Sequence, residues 1–201
     1  IKLVSVILYL LCSLSIYFLA TKLYDKNIGL ISGLSFFLLP GVSFSSFIVS
    51  TDVPLIIFWA LSLYFLLCFL EQPKIYFSTI LGICLCLGFL SKYAMIYFFI
   101  CTIVYLILNK ETRKIIIGNK KYCLLILCVF LIGIMPNIYW NFNNNWLTLD
   151  HTYKNISLEF SGLKLNKFLE FSVAQFFIVG PVFFITILFY FKKIFFLSKQ
   201  N

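Results

Sequence analysis

Residues 53–70, VPLIIFWALSLYFLLCFL, run 18 positions without a charge between Asp52 and Glu71. A helix needs about 20 apolar residues to cross roughly 30 Å of hydrocarbon. A strand of a membrane barrel alternates with period two, and Leu66-Leu67-Cys68-Phe69-Leu70 does not. Backbone in lipid must satisfy its own hydrogen bonds, so this stretch reads as a transmembrane helix. The pattern repeats outward from it. Charge-free intervals cover 3–21, 27–51, 53–70, 75–91, 93–109, 122–149 and 171–191. Only Lys92 separates 75–91 from 93–109, which can be two short helices meeting at one face.

The composition agrees. The chain has 201 residues, 62% hydrophobic and 11% charged, with a mean hydropathy of +1.03. A soluble domain runs near half apolar and a quarter charged. The net charge of +9 does not point to nucleic acid, because the charges fall in short clusters between apolar runs. With 25 Phe and 12 Tyr, disorder is excluded. The expected fold is all-α, a polytopic helical bundle of about seven spans.

Loop charges set the expected orientation. With residue 1 outside, the inner segments hold eleven basic residues: Lys22, Lys26, Lys74, Lys110, Arg113, Lys114, Lys120, Lys121, Lys192, Lys193 and Lys199. The outer segments hold five: Lys2, Lys92, Lys154, Lys164 and Lys167. The positive-inside rule then places the N-terminus out and the C-terminus in. Residue 1 is Ile, and no basic region or small-residue cleavage site frames the first apolar run, so it does not read as a signal peptide. The chain reads as a single domain, 1–201, truncated at both ends.

All seven cysteines lie inside apolar intervals and read as small apolar fillers rather than a disulfide framework. Gly29-Leu30-Ile31-Ser32-Gly33 fits the small-xxx-small pattern of close helix packing. There is no Gly-rich phosphate loop, H-E-x-x-H or G-x-S-x-G motif.

On this layout the unusual polar residues gather outside: Ser50-Thr51-Asp52-Val53-Pro54, Ser91-Lys92-Tyr93, and the stretch from Asn137 to Lys167. Asp52 has two compatible readings, a cap on the helix that follows it or an acid of a site at the membrane edge. Lys92 either snorkels to the interface or holds a phosphate at headgroup level. Trp140 and Trp146 suit interfacial anchoring, and aromatic rings beside amides such as Asn141 also suit sugar binding. His151 is the only histidine, and both it and Asp150 fit a solvated loop as well as a site.

These residues carry a family resemblance. Thr51-Asp52-Val53-Pro54-Leu55, with Phe58-Trp59-Ala60-Leu61 and Leu63-Tyr64, resembles a helix start of polyprenyl-phosphate-sugar-dependent glycosyltransferases. These are the dolichyl-phosphate-mannose–protein mannosyltransferase superfamily, glycosyltransferase family 39, and its bacterial relatives. Gly82 with Leu87-Gly88-Phe89-Leu90-Ser91-Lys92-Tyr93 resembles a second element, and Pro136, Trp140-Asn141 and Asn145-Trp146 a third. The elements keep the family's order, and the similarity covers about residues 30 to 190.

The resemblance implies an activity, transfer of a sugar with inversion from a polyprenyl phosphate carrier to a protein, lipid or glycan acceptor at the outer face. It implies Asp52 as the catalytic acid residue and Lys92 as the cation on the departing phosphate. Tyr93, Trp140, Asn141 and His151 would bind substrate. No cofactor and no nucleic acid is implied, and a need for a divalent metal stays open; unpaired cysteines and a Lys-, Ile-, Asn- and Phe-rich composition suit a bacterial inner membrane, with the site on the periplasmic side. Members carry a leading acid in the first outer loop, which this sequence would place upstream of residue 1. Two other readings remain at this point: an inactive or non-catalytic membrane protein, and a transporter. The span-edge position of the charges counts against the transporter.

Overall fold

The computed structural model describes residues 2–48, 50–150, 165–181, 183–187 and 189–190, and among these there is no strand. The elements are α1 (Lys2–Leu23), α2 (Lys26–Leu38), α3 (Pro40–Ser45), α4 (Asp52–Glu71) and α5 (Ile75–Ser91). A 3-10 turn (Tyr93–Met95), α6 (Ile96–Leu108), α7 (Lys110–Gly118), α8 (Lys120–Asn143) and α9 (Leu165–Val179) follow. Large apolar side chains cover the outside, with Leu3 72%, Phe44 76% and Leu108 78% exposed. Such a surface is stable against acyl chains and not against water. This is an integral membrane protein.

Among the described residues, three helices are long and apolar enough to span: Leu3–Leu23, Asp52–Glu71 and Lys120–Asn143. Residues 93–108 and 110–118 add a fourth if that pair, bent by 107°, counts as one span. The charge-free intervals therefore do not each yield one span-length helix. Pro40 divides interval 27–51, because a residue before proline is pushed out of the α region, and Leu39 sits at φ −59, ψ 130. The 13-residue α2 is left about 20 Å long. Interval 171–191 breaks at Gly180, φ +85. The Phe176 and Phe184 rings lie 5.5 Å apart, whereas eight residues of straight helix would separate them by about 12 Å.

Asn109 and Asp25 cap the helices that leave the basic end. The Asn109 side-chain carbonyl accepts from the Glu111 and Thr112 N–H groups, at 3.1 Å each. The Asp25 carboxylate accepts from the Ile28 N–H at 2.8 Å. The segment 110–118 is thus a helix rather than a basic loop. It buries Thr112, half-buries Ile115 and Ile116, and exposes Lys110, Arg113 and Lys114.

Packing fixes the directions. α1 runs alongside α4 in the same sense: the Ser5 hydroxyl donates to the Ile48 carbonyl at 3.0 Å, and Lys22 pairs with Glu71 at 2.5 Å. Tyr9, Cys12, Val53 and Ile57 form the core between them. Gly29 and Gly33 are buried against Thr21, Tyr17 and Ser13 of α1, as the small-residue pattern anticipated. A second core, Leu81, Leu85, Met95 and Phe98, packs with Trp59, Phe89 and Phe130.

α8 runs alongside α5, with Gly82 facing Ile126 and Val129, and Gly133 facing Cys86. A Cβ on Gly82 would lie 2.8 Å from the Val129 Cβ and 3.0 Å from the Ile126 carbonyl oxygen. Neither atom is the free end of a flexible chain. Gly82→Ala is therefore expected to destabilise the bundle by about 1–3 kcal/mol, seen as a lower thermal midpoint in detergent. An unchanged midpoint would contradict the close α5–α8 contact.

Candidate functional site

These directions bring the start of α4, the end of α5 and the end of α8 to one end of the bundle. Lys22, Glu71 and the 109–121 segment fall at the other. Asp52, the first residue of α4, pairs through Oδ1 with the Lys92 Nζ at 2.5 Å. The Ser50 hydroxyl donates to the other carboxylate oxygen at 3.0 Å, and Ser50 Oγ accepts the Asp52 backbone N–H at 3.2 Å. The capping reading is corrected here. Thr51, the residue flanking α4, makes no side-chain cap, and Asp52 turns its carboxylate to Lys92. The hydroxyl that takes a free N–H of α4 belongs to Ser50. Side-chain exposures of 54% for Asp52 and 47% for Lys92 place the pair in contact with solvent.

Lys92 is positioned by a break in the chain. It is extended, φ −160, ψ 133, and ends α5 before the 3-10 turn. Gly88 makes the reversal possible, since a Cβ there would come 2.9 Å from the sulfur of Met95, which is fully buried. Tyr93 then reaches α8. Its hydroxyl donates to Asn137 Oδ1 at 3.0 Å and accepts from Asn141 Nδ2 at 3.3 Å. The same Nδ2 also lies 3.0 Å from the Asn137 backbone carbonyl and 3.3 Å from Asn137 Oδ1. Turning the Asn141 amide over would set two carbonyl oxygens against each other, so the network fixes its orientation.

A cavity of about 740 Å³ opens beside this network. Lys92, Tyr93, Asn137, Asn141 and Trp146 line it, with aromatic walls from Phe89 and Tyr97. Asn145 and Trp146 take left-handed backbone, φ 52 and 57, a conformation uncommon for Trp. The Trp146 backbone N–H donates to the Asn141 backbone carbonyl at 2.8 Å, which holds the turn that brings Trp146 to the cavity wall. Asn141 is only 2% exposed, and its Oδ1 has no hydrogen-bond partner among the described residues. A buried acceptor left unpaired costs about 1–3 kcal/mol.

Of the residues singled out by sequence, Asp52 and Lys92 form one ion pair, and Lys92, Tyr93 and Asn141 line one cavity. Asp52 does not line the cavity and joins it through Lys92. Trp140 is 51% exposed and does not line the cavity. It is one position from Asn141, about 100° around the helix. His151 lies outside the described residues. Sequence reasoning placed Asn137 in the outer polar stretch but missed its part in the network with Tyr93 and Asn141, whose signal was the i, i+4 spacing to Asn141 at the end of an apolar run. Among the described residues no three His, Cys, Asp or Glu side chains gather as metal ligands.

Comparison with known proteins adds to this geometry. The family model for dolichyl-phosphate-mannose-protein mannosyltransferase matches residues 1–140. The lipid A galacturonosyltransferase RgtD of Rhizobium johnstonii is 27% identical over 188 residues, 94% of this chain. The chain spans 39% of the length of that curated relative. No solved structure matches.

Proposed function

Because this chain belongs to the dolichyl-phosphate-mannose–protein mannosyltransferase family, a family of membrane glycosyltransferases, we propose that the Asp52–Lys92 end of the bundle transfers a sugar from a polyprenyl phosphate carrier. In this reading the chain threads the membrane about seven times, with the N-terminus out and the C-terminus in. The site then faces the outside, the periplasm if the membrane is a bacterial inner membrane. The charge asymmetry of the loops supports that orientation.

The observation that carries the reading is the Asp52–Lys92 pair, whose lysine lines the cavity. Asp52 takes the proton of the acceptor hydroxyl. The acceptor oxygen attacks the anomeric carbon as its bond to the phosphate oxygen breaks, in one inverting displacement. The electron pair leaves with the polyprenyl phosphate, and Lys92 stabilises the charge that develops there. An exposed ion pair is worth about 0–1 kcal/mol, so an arriving phosphate can draw Lys92 away and free the Asp52 carboxylate. Tyr93 and Asn141 line the cavity and bind substrate, and we assign Trp140 and His151 to substrate binding on the family resemblance alone. The acceptor is a glycan, lipid or protein, and the lipid A named for the Rhizobium relative favours a lipid.

The test uses the whole protein in proteoliposomes, offered either a radiolabelled polyprenyl-phosphate hexose or the matching nucleotide hexose. Label should reach the acceptor from the lipid carrier alone. Transfer from the nucleotide sugar without carrier would overturn the reading.

A further inference from the structure

Away from the Asp52–Lys92 end, a second cavity of about 220 Å³ lies between α6 and α8. Its buried lining is Leu81, Leu85 and Phe98. Ile103 of α6 and Leu127 of α8 also line it and are 56% and 50% exposed, so it is a groove open along its side. The Phe99 and Phe130 rings, 5.1 Å apart, bridge the two helices toward the Lys92 end. At the basic end Ile116 of α7 and Cys123 of α8 complete the lining, with the Cys123 thiol 3.6 Å from the Ile116 carbonyl. Phe130 stands about 15 Å along α8 from Lys120 at 1.5 Å per residue, half of a hydrocarbon core of roughly 30 Å.

Cations gather where the groove meets α7. That helix turns 107° from residues 93–108 and packs against α4, α6 and α8, so it lies across the end of the bundle. Lys110, Arg113 and Lys114 fall at i, i+3 and i+4 on its exposed side. Arg113 is one turn from Ile116, and the exposed Lys120 is one turn from Cys123. Glu111 is the single acid in 109–121. Among the described residues none of these four cations has a carboxylate partner, whereas Lys22 at the same end is taken up by Glu71. We infer that an anionic glycerophospholipid binds here, its phosphate among Arg113, Lys114 and Lys120 and one acyl chain in the groove between α6 and α8. A free anion would meet the cations and leave the groove empty. A neutral lipid would fill the groove and leave the cations unpaired. An anionic lipid satisfies both, with the guanidinium fork suited to a phosphate and a basic surface segment to an anionic headgroup. The inference stands apart from the transferase reading and holds whichever side of the membrane the basic end faces.

The test titrates three probes into the whole protein in neutral detergent and reads bound ligand by native mass spectrometry. The probes are phosphatidylglycerol, phosphatidylcholine with the same chains, and glycerol 3-phosphate. One phosphatidylglycerol should be held about tenfold more tightly than phosphatidylcholine, and glycerol 3-phosphate should not be retained. Arg113→Gln should weaken phosphatidylglycerol about fivefold, while Lys26→Gln, which removes the same charge from α2, should change it less than about twofold. Cys123→Phe fills the groove from α8 and Thr102→Leu fills it from α6. Each should weaken both lipids, and if one variant fails to fold the other decides. Equal binding of the two lipids, or equal losses from Arg113→Gln and Lys26→Gln, would overturn the inference, since overall charge or detergent-like association would account for the binding. Glycerol 3-phosphate held as tightly as the lipid would overturn it in favour of a surface anion site. Phosphatidylglycerol binding unmoved by either filling variant would overturn it as well, the groove then being covered by another part of the whole protein.

Discussion

In the whole protein, Asp52→Asn is expected to lower kcat for sugar transfer about a hundredfold or more, with the KM for the lipid-linked donor within about threefold of wild type. A positioned base contributes roughly 10²–10⁴ to such a step. Asparagine keeps the shape and can still accept from Ser50, but it takes no proton from an acceptor hydroxyl. The pair it breaks is exposed, so little of the loss can come from unfolding. A thermal midpoint near wild type with kcat depressed would assign the effect to chemistry. A loss under threefold would remove Asp52 from the reaction and leave it as the acidic first residue of α4, favourable to the helix dipole.

Lys92→Ala is expected to lower kcat/KM about 10²–10³-fold, the scale seen when a group facing developing negative charge is removed. Here KM should rise as well, because Lys92 meets the phosphate before and during bond breaking. Lys92→Arg keeps the charge but spreads it over a planar fork, so its activity should fall between wild type and alanine. Alanine equal to wild type in KM, with kcat alone reduced, would mean that Lys92 acts through Asp52 rather than on the phosphate.

Much of this was legible in the sequence because charge is costly in lipid and therefore punctuates the chain. The breaks at Lys22 to Asp25, Glu71 to Lys74, Lys92 and Asn109 to Lys110 all mark helix ends. Asp52 and Lys92 were separable from the background for the same reason, each being isolated at the edge of an apolar run. Absence of charge does not guarantee an unbroken helix, however. Pro40 and Gly180 interrupt two intervals through backbone geometry, which hydropathy does not register. The 107° turn into α7 follows from the Asn109 cap and the strong division of 110–118 into basic and apolar faces. A net charge count of the loop hides that division. In the site, neighbouring positions in sequence diverged: Asn141 is buried in the network while Trp140 points outward. Asn137 stood out only as the start of the outer polar stretch and not as a site residue, because an amide at a span end also suits the interface.

The central claim is that Asp52 and Lys92 act on one transition state, and a double-mutant cycle on transfer by the whole protein tests it most directly. Asp52→Asn, Lys92→Ala and the double variant would be compared with wild type in single-turnover transfer of labelled sugar from polyprenyl phosphate. Residues that work as a unit lose activity non-additively, so the double variant should fall within about threefold of the weaker single variant. Losses that multiply, or a single variant that transfers sugar as fast as wild type, would contradict it.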